Sequence, residues 1–522
     1  MKKFLFVILF SAISSLMSAQ NPTVRDFANK MGQTILYLNN FYLDTVNLTN
    51  ITDKALEAIV QELDPHSAYI SAKDVKAMNE PLIGNFSGIG IEFAIINDTL
   101  TVQSTIVGGP SEKVGLKASD KIIKVDDQEI SGKDLSIERV HKYLRGEKGT
   151  RVKITVKRKN IDDYLDFLIT RDDIPLHSID AHYKTPQDYL YVRLTRFSAT
   201  SHKELMNILR EYNGNIKGLI LDLRYNPGGY LGTAIKITNE FLQKGQLIVY
   251  TEGRTVPMMS EYADGNGFLK NTPITVLIDE SSASASEILS GAIQDWDRGV
   301  IIGRRSFGKG LVQRSMPLPD GSEIRLTIAR YHTPSGRVIQ SPYEQGKSTD
   351  YYRNQIERYI KGEYFSKDSI DFPDSLKYTT LLEKRVVYGG GGIMPDIFIP
   401  QDTSFYTKFY GELNRKSIMA DFANSYVDSN RESLIKKYPK FRDFCNKFEI
   451  DDKIFTEFLS FAKQMGVEPE EGDLDISSNE IKKYLKGFMI RSLYSFSKFI
   501  EFVNQYDADV MEAIRVLDTK KG

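Results

Sequence analysis

The chain has 522 residues, 41% hydrophobic and 26% charged, with a net charge of −1. This is globular composition, too long for one ordinary core, so about two to four domains are expected, and the near-neutral charge argues against a nucleic-acid partner. The single cysteine, Cys445, excludes an intramolecular disulfide framework and thiolate zinc sites.

Lys2 and Lys3, the apolar run FLFVILFSAISSL and the small pair Ser18 and Ala19 form the pattern of a secretory signal peptide, residues 1–19. The run is short for a membrane span, so cleavage after Ala19 and export to the periplasm are expected, with membrane association or secretion left open. The six histidines show no HExxH or other ligand-like spacing, and no metal or cofactor is expected.

Residues 20–83 carry helical spacing: Phe27, Met31 and Ile35, then Leu56, Ile59, Val60 and Leu63. LDPHSAY, Leu63 to Tyr69, reads as a helix stop and turn. Residues 84–171 change to short strands and glycine-rich turns (GNFSGIGIEFAII, LTVQSTIVGGP, DKIIKVDDQEI), with a helix near SIERVHKYLRG and a strand at RVKITVKRK. This order resembles a PDZ domain. That resemblance implies that the loop and strand around Gly88, Ile89, Gly90 and Ile91 capture a peptide C-terminus, although the glycines taken alone fit a tight turn equally well.

From residue 172 to 400 strands and helices alternate. DYLYVRLTRF, KGLILDLR, TPITVLID and GVIIG read as strands, and HKELMNILREY, GTAIKITNEFL and SASEILSGAIQDW as helices. This predicts an α/β layer with its site at strand ends. QRSMPLPDGSEIRLTIARYHTPSGRVIQ reads as β-hairpins, and residues 401–522 as a helical domain whose apolar stripes are core or interface.

Three short pieces of the α/β region invite chemistry. RYNPGG is a turn signal, and Ser284 to Glu287 fits a capping box, so each has a structural explanation of its own. Gly303 with RRSFGKG nearly spells a phosphate-binding loop. The residue after Lys309 is glycine rather than Ser or Thr, and the sequence beyond reads as extended rather than helical, which excludes that reading. A lysine in a poorly solvated site loses proton affinity, and its neutral amine can take a proton from a serine. If Ser284 attacks, the Ala285 amide is the first oxyanion donor, and Gly228 of the NPGG turn is a candidate second.

Together LDPHSAY, the PDZ-like unit, LDLRYNPGG, DESSASASEILSGAIQD, IGRRSFGKGLVQ, ARYHTPSGRVIQ and VVYGGGGIMPDI resemble the carboxy-terminal processing peptidases, or tail-specific proteases. The resemblance covers roughly residues 64–340, with VVYGGGGIMPDI as a further block. It implies a multidomain α/β protein: a crotonase-like serine peptidase core, an inserted PDZ domain, an N-terminal helical segment and a helical C-terminal domain. It places the nucleophile on Ser284 and the base on Lys309, with Gln313 orienting the lysine and Asp295 as a third charge-relay member. Asp295 lies 11 residues beyond Ser284, so a fold-stabilising role is equally compatible with the spacing.

Tyr225 stands where the family often has Asn. The implied activity is an exported serine endopeptidase cutting protein substrates near their C-termini. An adaptor protein and homo-oligomers through the C-terminal helices remain open as partners. The rival reading is a non-catalytic PDZ scaffold, against which stands the presence of both Ser284 and Lys309. A trypsin-like protease is excluded by the absence of a GDSGG-like loop.

Overall fold

Gly218–Asp222 and Ile274–Ile278 are buried at every position, as strands covered on both faces must be. They form the middle of a six-stranded sheet ordered Ile179–Lys184, Tyr189–Leu194, Gly218–Asp222, Ile274–Ile278, Val300–Gly303 and Ile397–Phe398. The first pairing is antiparallel and the other four are parallel. Parallel neighbours need crossovers, and the helices Ser201–Glu211, Leu231–Asn239 and Ala285–Asp295 lie in them. The computed structural model describes residues 23–519 except positions 97, 107, 133, 160 and 213, so the expected signal peptide lies outside the described residues.

Alternation along the strands sorts side chains to two cores. Leu219, Leu221, Val276 and Ile278 pack with the crossover helices. Ile220, Leu277 and Ile302 pack with Ile500, Val510, Ala513, Val516 and Leu517, from the helices Phe496–Val503 and Ala508–Thr519. These two helices therefore cover the other face of the sheet, across the domain boundary expected at 401. Polar ties follow the same route: Tyr189 Oη donates to Asp518 at 2.7 Å, and Arg224 Nη1 lies 2.9 Å from carboxylate oxygens of both Asp507 and Asp509. The helices from Lys408–Arg415 to Asp473–Leu493 build a separate core around Leu413, Phe444, Phe458, Ile481 and Leu485.

A second sheet is organised by Glu323–His332, which pairs with Leu311–Pro317, with Leu247–Glu252 and with Ala68–Ile70. Ala68–Ile70 comes from the N-terminal segment. The PDZ-like unit is thus inserted between a strand of this sheet and the remainder of the core. The unit's core contains Leu100, Ile122, Val140, Val152, Ile154 and Ile169. Its sheet runs Ile91–Ile96, Thr99–Thr105, Lys121–Val125, Arg151–Lys157, Leu165–Thr170, which leaves Ile91–Ile96 at an edge. The first helix among the described residues, Val24–Phe41, has the expected periodicity yet buries none of its residues.

Candidate active site

The serines of SSASASE have separate fates. Ser282 is buried, accepts from the Asp279 amide at 2.9 Å and donates to the Leu223 carbonyl at 2.8 Å. Ser286 donates to the Asn226 carbonyl at 2.9 Å and Ser290 to the Ser286 carbonyl at 2.8 Å, both from buried positions, while Ser281 is exposed. Ser284 is half-buried at the mouth of the helix Ala285–Asp295, with φ +55° and ψ −111°. A non-glycine residue held there stores about 1–3 kcal/mol, a strain typical of nucleophile turns between strand and helix.

Two groups hold that strained turn. Glu287, fully buried, accepts from the amides of Ser284 at 2.7 Å, Gly308 at 2.7 Å and Lys309 at 2.9 Å, and from Ser306 Oγ at 2.6 Å. Burial pushes its carboxyl up, and these donors oppose the rise. The expected reach of Glu287 back to the helix start is therefore present, and the same carboxylate also grips the lysine loop. Tyr331 is the other clamp: its buried hydroxyl lies 3.1 Å from the Ser284 carbonyl oxygen and bonds the Lys309 carbonyl oxygen. ARYHTPSGRVIQ contains Tyr331, but as one alternating residue of a strand it carried no sign of this role.

The lysine loop threads a narrow space. A Cβ on Gly310 would come 2.8 Å from the Gln340 amide, and Gly308, at φ +92°, leaves no room beside Ser341 Oγ. The backbone is held by Arg358, which donates to the carbonyls of Arg305 at 2.8 Å and Ser306 at 3.0 Å. The strand Leu311–Pro317 follows, where a phosphate-binding loop would need a helix. Lys309 itself is half-buried. Desolvation lowers the pKa of its amine and Arg325 adds to that, while Asp64 and Glu287 oppose it. Its Nζ donates to Gln313 Oε1 at 3.0 Å. The register shifts between Val312 and Gln313, and Lys309 precedes the strand, so loop and bulge rather than simple alternation make this contact.

Ser284, Ala285, Lys309, Gln313, Tyr331 and Gly228 all line one cleft of about 930 Å³, along with the apolar Leu82, Ile83, Leu231 and Ile288. Gly228, at φ +101°, packs against the Ser284 turn so closely that a Cβ would lie 2.8 Å from Ser284 Cβ and 2.9 Å from the Ala285 nitrogen. Its own amide donates to Asn226 Oδ1 at 2.9 Å, so in this state that proton is committed within the turn. Asp279, beneath, is pushed up to about 6 by burial and by Glu280, against hydrogen bonds that include the Tyr225 amide at 3.0 Å. Asp295 does not line the cleft. It ends the same helix, ion-paired with Arg337 at 2.6 Å, both side chains fully buried, and accepting from the Ser335 amide at 2.9 Å.

In the PDZ-like unit, Gly88 closes the strand Asn85–Gly88 and Ile91 opens the edge strand Ile91–Ile96. Between them the Ile89 carbonyl accepts from Ser111 N at 3.0 Å and Oγ at 2.6 Å. Gly90 has φ +74°, and a Cβ there would lie 2.9 Å from Ile174 Cδ1, which is structural reason enough for a glycine. Phe93 of the edge strand meets His141 of the helix Ile137–Leu144 edge to face at 5.9 Å, so the helix packs beside this edge strand.

A model of peptidase family S41 matches residues 188–351, a PDZ-domain model matches 87–167, and a family of unknown function matches 409–495. The chain is 37% identical to a carboxy-terminal-processing protease of Bartonella bacilliformis over 353 residues, 65% of this chain and 80% of that protein. It is 33% identical to a probable CtpA-like serine protease of Staphylococcus aureus, over 64% of this chain and 66% of that one. Among solved structures, it is similar to a photosystem II D1 C-terminal processing protease, at 25% identity and a TM-score of 0.36 over 73% of this chain and 89% of the other. It is also similar to the PDZ domain of a carboxy-terminal protease from Vibrio cholerae solved with a peptide, at 27% identity and a TM-score of 0.17 over 18% and 99%.

Proposed function

The chain belongs to peptidase family S41 as a carboxy-terminal processing serine protease, and from that premise we propose that Ser284 and Lys309 form its catalytic dyad. The observation that carries this reading is their convergence in one cleft: a serine on a strained strand-to-helix turn and a half-buried lysine whose amine has lost proton affinity. The neutral Lys309 amine takes the Ser284 proton as Oγ attacks the scissile carbonyl. The tetrahedral oxyanion is held by the Ala285 amide at the helix start, and by Gly228 once its amide turns from Asn226 to the substrate. The Lys309 ammonium then protonates the leaving amine as the C–N bond breaks, leaving an acyl-Ser284 ester. Water attacks that ester with Lys309 again taking the proton, and Ser284 is restored. Gln313 orients the lysine. Asp295, remote from the cleft and saturated by Arg337 and Ser335, acts on the fold.

The substrate reading is that the PDZ domain selects exposed protein C-termini. An extended tail adds beside the edge strand Ile91–Ile96, its carboxylate near the Gly88–Ile91 turn, and the crotonase-like core cuts near that end. The N-terminal signal pattern supports an exported, periplasmic enzyme. Purified Ser284→Ala and Lys309→Ala variants should each lose cleavage of an unstructured C-terminal tail, by a factor of about 10⁴ or more, with unchanged circular dichroism. Full activity in either variant sinks the dyad. Tail preference surviving deletion of residues 84–171 sinks the PDZ role, and trapping with Ser284→Ala identifies substrate and adaptor together.

A further inference from the structure

Read from the sequence as a helix stop, LDPHSAY reaches the base. Gln313 uses both ends of its amide: Oε1 accepts from Lys309 Nζ at 3.0 Å, and Nε2 donates to the carbonyl oxygen of His66. An amide fixed at its NH₂ end can present only oxygen at the other, and a neutral amine donating to that oxygen has its lone pair confined to the two other staggered positions on Nζ. The His66 carbonyl is itself held. Asp64, buried, accepts from the amides of His66 and Ser67, each at 2.8 Å, from Ser67 Oγ at 2.6 Å and from Thr327 Oγ1 at 3.0 Å. Tyr352 Oη donates to the Pro65 carbonyl at 2.7 Å, and Ala68–Ile70 pairs with Glu323–Arg325, anchoring the turn on the second sheet.

We propose that the Asp64–Ser67 turn is a positioning element of the proteolytic site, holding the His66 carbonyl so that Gln313 fixes the Lys309 amine. Asp64 is the positioning residue, acting through backbone, Gln313 and Lys309 in turn. The proteolytic site is complete only with this N-terminal turn docked on the core. The inference rests on the Ser284–Lys309 reading.

The charges facing Lys309 make a distinctive readout available. Asp64 and Glu287 raise its affinity for protons and Arg325 lowers it, while the His66 imidazole, pushed down to about 4 by burial and by Lys309, stays neutral. Activity needs the neutral amine, so the acid limb of kcat/KM reports its deprotonation. Removing the Asp64 charge lowers the lysine's proton affinity and moves that limb to lower pH.

The test uses the full chain, a tail peptide with a fluorogenic reporter, and thermal unfolding as a check on folding. Asp64→Ala should cut kcat by about tenfold to a hundredfold with KM within about threefold. Asp64→Asn, which keeps the side chain's shape, should lower kcat and displace the acid limb to lower pH. A folded Asp64→Ala enzyme with wild-type kcat overturns the proposal. Where Asp64→Ala does not fold, an unchanged plateau and acid limb in Asp64→Asn overturn it instead. Ser284→Ala and Lys309→Ala run alongside: if they are inactive while the Asp64 variants are fully active, the turn's role fails and the dyad stands, whereas activity in them removes the dyad itself.

Discussion

One helix, Ala285–Asp295, carries a fully buried carboxylate near each end, and the two are stabilised differently. Glu287 lies in the first turn, where the helix dipole favours an anion, and its four donors are three amides and a hydroxyl. Asp295 lies at the C-terminal end, where the dipole opposes an anion, and it has the Arg337 guanidinium as a full counter-charge. Complete burial therefore does not distinguish a working acid from a structural one. The owners of the donors do: those of Glu287 belong to the Ser284 turn and the lysine loop, those of Asp295 to Ser335 and Arg337, which do not line the cleft.

Substitution should separate the two ends. The largest effect is expected at Glu287→Ala, which cuts the tie between the Ser284 turn and the Lys309 loop. Steady-state kinetics should show kcat lower by about a hundredfold or more, out of proportion to any loss of stability. Asp295→Ala should do the reverse. It strands a buried guanidinium, lowering unfolding free energy by about 3–5 kcal/mol in denaturant titration, while kcat of the folded enzyme stays within about threefold. Large kcat loss in a stable Asp295→Ala protein would restore it to the charge relay. Replacing the pair together, Asp295→Leu with Arg337→Met, should recover most of that stability, because no lone charge remains.

Tyr331→Phe probes the second clamp on the Ser284 turn and is expected to cost about 1 kcal/mol of stability and severalfold in kcat, with KM unchanged. The smallest change belongs to Ser281→Ala, at the exposed start of the same serine run: within about 0.5 kcal/mol of wild type and with unaltered turnover.

Much of this was legible before folding. The strand Tyr189–Leu194 and the helices Ser201–Glu211 and Ala285–Asp295 fall where periodicity placed them, because hydrophobic spacing is a local record of which face is buried. The lysine loop's departure from a phosphate-binding loop was readable from Gly310 and the extended segment beyond. Capping and nucleophile readings of Ser284 were rivals in the sequence, whereas in the fold the cap is part of the site, since Glu287 binds the Ser284 amide and both ends of Gly308–Lys309. The C-terminal helices were visible as helices, but nothing in their spacing showed that residues 496–519 pack on the first sheet.

The sequence by itself determined the order of elements, the apolar faces, the unlike composition of the inserted β-rich unit and, through its run of motifs, the family. Tertiary structure alone decided which distant groups share a hydrogen bond: His66 with Gln313 across 247 positions, and Arg224 with Asp507 across 283. Periodicity cannot encode such pairs. It reports the environment of one residue's own helix or strand, while the partner is set by where two separately folded elements come to rest in three dimensions.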